Sequence, residues 1–376
     1  MKKKIVFLTG TRADFGKMKP LINKVENSDQ FENHVFVTGM HTLSKYGSTY
    51  REVEKENYDH IYKYINQANN SKMDIILSNT VLGFSNYINE INPDMIVVHG
   101  DRVEALAGAI VGSLNNILVS HVEGGEVSGT IDELIRHSIT KLSHLHFVAN
   151  EEAKKRVVQL GEEETNIYII GSPDIDVMLS DNLPDIEEAK NRYDIDFENY
   201  GIFVYHPVTT ELSKLKQNIK EVVNAILESG ENYIVIYPNN DEGSEMIFEE
   251  YKRLEDKNNF EIFPSIRFEY FLTFLDNCQF IAGNSSSGIR EAEIYGIPSI
   301  NIGSRQNNRS LNKDIINVSE SKKEILEAIN KAKKLELENK SNFGNGNSSQ
   351  KFIEILKDKN LWDISYQKNF VDIDNI

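Results

Sequence analysis

Short apolar runs that end in Gly or in a polar turn alternate along this chain with longer stretches whose apolar positions recur every three or four residues. The first pattern predicts buried parallel strands, the second packed helices. The run Met95-Ile96-Val97-Val98 leads into His99-Gly100-Asp101-Arg102, and Ile117-Leu118-Val119 leads into Ser120-His121-Val122-Glu123-Gly124-Gly125-Glu126. Between them residues 102–114, rich in Ala, Val, Leu and Gly, read as a crossover helix. A strand–helix–strand unit of this length makes the two strands parallel. Asp101 and Glu123 then leave the sheet at the same carboxyl edge, where open α/β sheets bind ligands. A single strand-end acid is readily explained as a helix cap. Two acids, each two residues after a His and each beside Gly, point instead to general acid–base chemistry.

The flanking segments extend the pattern. Residues 5–9 form a first strand, and the loop Gly10-Thr11-Arg12-Ala13-Asp14-Phe15-Gly16-Lys17 leads into a helix over 18–26. Gly10 and Gly16 do not have the spacing of G-x-G-x-x-G, so neither a nicotinamide nor a flavin is expected. Arg12 sits at the carboxyl edge, placed to meet an anion. Residues 34–38 are a strand, 46–65 a helix or a long loop, and 74–91 a helix. Thr130 and Glu133 make a capping box. Asp132, in the first turn of that helix, either answers the helix dipole or faces the same edge as Glu123. Residues 145–149 and 167–170 are strands around a helix at 151–160. His144 and His146 alternate there and read as structural, with no third metal ligand apparent. The acidic, Pro-broken stretch 174–199 reads as a linker.

A second alternation follows, with strands at 201–205, 233–237, 279–282 and 299–302 and helices such as 213–227 and 268–277. A second α/β domain with a parallel sheet is therefore expected. Its telling stretch is Gly283-Asn284-Ser285-Ser286-Ser287-Gly288-Ile289-Arg290-Glu291. Ser285 and Ser286 are placed to open a helix whose N–H groups seat a phosphate. Glu291 follows on the same helix, within reach of a sugar diol. His206-Pro207 and Tyr237-Pro238-Asn239-Asn240-Asp241 end two other strands, and Gly303-Ser304-Arg305-Gln306 supplies a further cation. A last helix at 349–357 and a tail containing Trp362 close the chain.

Composition narrows the class. The 376 residues exceed one ordinary core, so two domains are expected. A formal net charge of −17 argues against a nucleic-acid partner. The one cysteine, Cys278, excludes an internal disulfide and a Cys-based zinc site. The apolar run after Lys2-Lys3-Lys4 is too short for a signal peptide. No stretch approaches the ~20 apolar residues of a membrane span, so no membrane partner and a cytoplasmic location are expected.

Taken in order, Gly10-Thr11-Arg12-Ala13-Asp14, His99-Gly100-Asp101-Arg102, His121-Val122-Glu123-Gly124-Gly125-Glu126, the run from Ser128 to His144, His206-Pro207, Tyr237-Pro238-Asn239-Asn240-Asp241, Gly283-Asn284-Ser285-Ser286 and Gly303-Ser304-Arg305-Gln306 cover nearly the whole chain. In these motifs it resembles the hydrolysing UDP-N-acetylglucosamine 2-epimerases of bacterial sialic acid biosynthesis. Arg102 and the Gly124-Gly125 pair look like the hydrolysing branch. The resemblance implies a GT-B architecture, two Rossmann-like parallel-sheet domains with the nucleotide sugar between them. Residues 1–172 would carry the acids, 173–350 would bind UDP, and a helix and tail at 351–376 would cross back to the first domain. It implies Asp101, Glu123 and Asp132 as catalytic. It implies Arg12, Ala13, Arg102, His206, Asn239, Asp241, Ser285, Ser286, Glu291 and Arg305 as substrate-binding, with the backbone near Ile266 against the uracil. It also implies no cofactor, no metal, and a homodimer or dimer of dimers. The expected reaction turns UDP-N-acetylglucosamine and water into N-acetylmannosamine and UDP. A sibling family acting on UDP-2,4-diacetamido-2,4,6-trideoxyglucose shares most of these motifs, and a GT-B glycosyltransferase would use the same UDP seat.

Overall fold

The computed structural model describes residues 2–128, 130–180, 183–306, 314–338, 343–369 and 371–372. The chain forms two compact units: Met1–Glu126, Asp132–Ser180 and Asn342–Ile376 make the first, and Val127–Ile131 with Asp181–Ser341 the second. Each is an α/β unit on one parallel sheet, the fold class expected.

The first sheet contains β1 (Lys3–Thr9), β2 (Phe31–Val37), β3 (Ile61–Lys63), β4 (Met95–His99), β5 (Leu118–Val122), β6 (Leu145–Val148) and β7 (Ile167–Ile169), in the order β3-β2-β1-β4-β5-β6-β7. β4 and β5 are buried at every position, and apolar but for His99, Ser120 and His121, as strands covered on both faces are. The second sheet contains β8 (Gly201–Val204), β9 (Tyr233–Ile236), β10 (Phe260–Phe263), β11 (Phe280–Gly283), β12 (Ser299–Ile302) and β13 (Ile316–Val318), in the order β10-β9-β8-β11-β12-β13. In both sheets the order reverses beside the first strand, between β1 and β4 and between β8 and β11. A crevice opens at such a reversal, outside the carboxyl ends of the strands.

Three strands had no clear signature in the pattern. β3 and β13 are three-residue edge strands, too short for alternation to show, and β10 is a brief Phe-rich run. The stretch expected as a linker over 174–199 instead holds two helices, Pro173–Met178 and Ile186–Tyr193. The first of these lies with the first unit, as does the start of the last helix, Ser348–Lys357, so the division expected at 172/173 and 350/351 moves. The reason is local. The Asp176 carboxylate accepts from the Ser348 and Ser349 N–H groups, both at 2.8 Å, and caps that helix.

The last helix then buries Phe352 in the first core, its ring centroid 6.4 Å from that of Phe7 and 4.8 Å from that of Phe147. Phe352→Ala should destabilise the first unit by about 3–5 kcal/mol. Hydrogen exchange in the strands of each unit, with and without the substitution, would check this; equal protection in the variant would contradict the docking.

Candidate active site

The carboxyl edge of the first sheet gathers charge. After β4 the chain turns at Gly100 (φ 70°), whose N–H donates to Val122 O at 3.0 Å, and Asp101 follows. After β5 it turns at Glu123 itself, which takes a left-handed backbone (φ 65°) while its N–H donates to Phe147 O at 2.9 Å. Gly125 (φ 79°) completes the bend. Any Cβ there would lie 2.2 Å from Ala153 O, so only glycine fits.

Two cations hold these acids. Arg136, 2% exposed, hydrogen-bonds the Asp101 carboxylate and donates to Glu126 O at 3.3 Å. Burial alone would lower its pKa, but the charges of Asp101, Glu126, Asp132 and Glu123 outweigh it and raise it further. Of the three acids expected as catalytic, Asp101 bonds this guanidinium directly, and Asp132 stands four residues before it on the helix Ile131–Leu142. His99 is the second cation. Its Nδ1 hydrogen-bonds Asp14 Oδ1 at 3.0 Å, and its Nε2 makes an ion contact of 3.1 Å with Glu123 Oε2. Burial opposes the imidazolium, but the Glu123 charge and the Asp14 hydrogen bond overcome it and hold the pKa at about 10. Ser172 donates its hydroxyl to the other Glu123 oxygen. Lys17 pairs with the buried Asp174 at 3.0 Å.

His121, although it too precedes an acid, does a different job. Its Nε2–H donates to Gly100 O at 2.9 Å and its Nδ1 accepts from the Thr140 hydroxyl at 3.1 Å. Burial pushes it down to about 3, so it is a neutral brace for the Gly100 turn. His144 and His146 are structural. His144 Nδ1 accepts from the Val119 N–H, and His146 bonds Glu162.

Arg12 and Arg102 lie near carboxylates in this unit, 3.8 Å from Glu52 and 3.9 Å from Glu104. Ala13 is exposed in the first turn of the helix Arg12–Glu26. Asp14, Lys17, His99, Arg136 and Ser172 were not singled out from the sequence. For Arg136 a signal existed: it follows Asp132 by four residues, which puts both on one helix face.

In the second unit, Asn284 organises the strand ends. Its side chain accepts from the His206 N–H at 2.7 Å and donates to His206 O at 2.9 Å. Its carbonyl accepts from Arg305 at 3.2 Å and from Gln306 at 2.8 Å. The Asn239 N–H donates to His206 Nδ1 at 3.0 Å, which leaves the proton of a neutral ring on Nε2. The Asn239 amide meets the Asp241 carboxylate. Gly283 (φ 131°) permits this join, since a Cβ there would lie 1.9 Å from Val204 O. The phosphate seat differs from expectation. Residues Ser286–Gly288 form a single 3-10 turn, with the Ser285 hydroxyl capping Ser287 N at 3.3 Å, and only the four-residue helix Glu291–Ile294 follows. Glu291 is 1% exposed, not an open helix acid. Ile266 is buried just ahead of the helix Phe268–Asp276.

A family model for UDP-N-acetylglucosamine 2-epimerase matches residues 23–357. A UDP-N-acetylglucosamine 2-epimerase of Neisseria meningitidis is 50% identical over 375 residues, covering 99% of both chains. A hydrolysing UDP-N,N'-diacetylbacillosamine 2-epimerase of Legionella pneumophila is 34% identical over 95% of this chain and 96% of its own. In structure, the Methanocaldococcus jannaschii UDP-GlcNAc 2-epimerase in complex with UDP-GlcNAc and UDP superimposes with a TM-score of 0.80 at 22% identity, over 94% of this chain and 99% of that one. By sequence along its full length, then, this chain belongs to the UDP-N-acetylglucosamine 2-epimerase family.

Proposed function

We propose that the protein is a hydrolysing UDP-N-acetylglucosamine 2-epimerase, making N-acetylmannosamine and UDP for sialic acid or a related capsule or surface glycan. The observation that carries this reading is the pairing of each strand-end acid with a buried cation, Asp101 with Arg136 and Glu123 with His99, at one edge of the first sheet. The name of the Legionella relative supports the hydrolysing chemistry. It also favours a second reading, in which the sugar is the 2,4-diacetamido compound. Membership of an epimerase family sets the glycosyltransferase reading aside.

In an α-linked UDP sugar the C1–O and C2–H bonds are axial and anti. A carboxylate removes the C2 proton while the C1–O bond breaks and UDP leaves, giving a glycal. The proton becomes acidic only as C1 gains positive character, so donors at the diphosphate assist its removal. In this reading His206, Ser285, Ser286 and Arg305 hold the nucleotide, with Arg12 and Arg102 as further cations. Water then adds at C1 and a proton returns to C2 on the opposite face. One carboxylate cannot serve both faces, so Asp101 and Glu123 are assigned to elimination and Asp132 to hydration. The reaction consumes no electrons and needs no redox cofactor. Ile75 and Leu82, seven residues apart and exposed on the helix Met73–Ile91, support a homodimer through that face.

Purified protein given UDP-N-acetylglucosamine in D2O, without acceptor, should release UDP and N-acetylmannosamine deuterated at C2. Product without label would refute the elimination, and turnover of the diacetamido sugar alone would favour the second reading. Asp101→Asn and Glu123→Gln should each lower kcat by about 10²–10⁴-fold while UDP binding is kept. A variant that instead loses UDP affinity and still turns over bound substrate would make that acid a ligand-positioning group.

His99 also links stability to pH. Its folded pKa, raised to about 10, lies above the ordinary value of 6.5. Its contribution is therefore complete below pH 6.5 and lost as the pH rises toward 10. The stability gap between wild type and His99→Gln should narrow across that window in urea titrations. A gap that does not change with pH would mean the ring is neutral.

A further inference from the structure

Glu32, His34 and His60 form a second polar cluster in the first unit, toward the amino end of β2 and so away from the acid-bearing edge. Residues two apart on a strand share a face, so Glu32 and His34 point the same way. β3 pairs with β2 in the register Val35↔Ile61, which sets His60 beside His34 on that face, and Val35 N–H donates to His60 O at 2.9 Å. One donor atom from each of the three side chains lies within 4.8 Å of the other two. Tetrahedral ligands about 2.0–2.1 Å from a zinc ion sit roughly 3.3 Å apart. The three donors therefore need to close by no more than about 1.5 Å.

The surroundings suit such an ion. His34 Nε2 already approaches Glu32 Oε1 at 2.8 Å, and its Nδ1 lies 3.3 Å from the Tyr87 hydroxyl, the outer partner that ligating histidines use to fix their tautomer. Tyr87 stacks on Tyr62 of β3 with centroids 4.7 Å apart, walling the site with aromatic rings. Lys4, level with Glu32 on β1, directs its ammonium to Ile91 O at 3.0 Å. His60 is exposed and stacks on His34 at 4.4 Å, so ligation asks that this ring turn at the surface to aim a nitrogen lone pair inward.

We propose that Glu32, His34 and His60 bind a divalent transition ion of the zinc class, with water in the fourth position, and that the ion clasps edge strand β3 to β2. Two imidazoles and a carboxylate suit zinc, cobalt or nickel, whereas magnesium prefers an all-oxygen shell. β3 is three residues long with two of them exposed, so it gains most from a cross-strand clasp.

The test is calorimetric titration of the chelator-stripped, full-length protein with Zn²⁺, alongside Co²⁺ absorption spectra. The expected result is one ion per chain, a tetrahedral cobalt spectrum, a raised Tm, and no competition from Mg²⁺. His60→Ala and Glu32→Gln should each weaken binding by roughly 10–100-fold or more, and Tyr87→Phe by about tenfold. His60 is exposed, so its stripped variant should keep the Tm of the stripped wild type. Absence of saturable binding, or equal affinity in wild type, His60→Ala and Glu32→Gln, would overturn the proposal. Neither outcome bears on the sugar chemistry, which uses other residues.

Discussion

Carboxylates brought together where a parallel sheet ends repel one another and lose their water, and each buried ion costs several kcal/mol unless countercharge is buried with it. This chain meets that constraint with two cations. Arg136 pairs with Asp101, its charge favoured by the field of the neighbouring acids, and His99 is drawn to its charged form between Asp14 and Glu123. The acids and their counterions come from two strand ends, those of β4 and β5, and two helices, Arg12–Glu26 and Ile131–Leu142, so the edge assembles only when these four segments are in place. Removing either cation leaves an uncompensated carboxylate, which is why such pairs are costly to break even when they add little net stability.

The two units solve the same positional problem in the same way. Each sheet reverses its order next to its first strand, and in each the loops on either side of the reversal are tied to one another. In the first unit the tie is Asp14 to His99; in the second it is His206 to Asn284. A loop held by the strand beside it has little freedom, and functional groups at the edge inherit the rigidity of the sheet. The chemistry of the ties differs. The first is charged and buried among acids. The second uses neutral amides and a neutral imidazole, which leaves Arg305 as a positive group beside the join.

Much of this was legible because parallel strands buried on both faces must be apolar, and the Gly turns after them mark where side chains emerge. Asp101 and Glu123 could be placed at one edge from those two facts. What stayed hidden depends on contacts between distant segments. Ser172 reaches Glu123 across 49 positions, and no local pattern announces it. His99 and His121 look alike in sequence, each two residues ahead of an acid. One is charged and the other neutral only because of what packs against them. The Ser285–Gly288 stretch carried a cap signature and did cap a turn, but the turn is a single 3-10 step, because Ser and Gly favour caps over helix interiors. The histidine cluster escaped notice because its donors sit on two strands brought level by register alone.

Glu123 occupies a backbone region that L-residues avoid, at a cost of order 1–3 kcal/mol, and it does so where its carboxylate meets His99 and Ser172. Glycine would relax that conformation and would take the acid away. Under the proposed reaction, robustness and chemistry pull this position in opposite directions, and a search for hardier variants that ignores turnover would tend to discard the residue first.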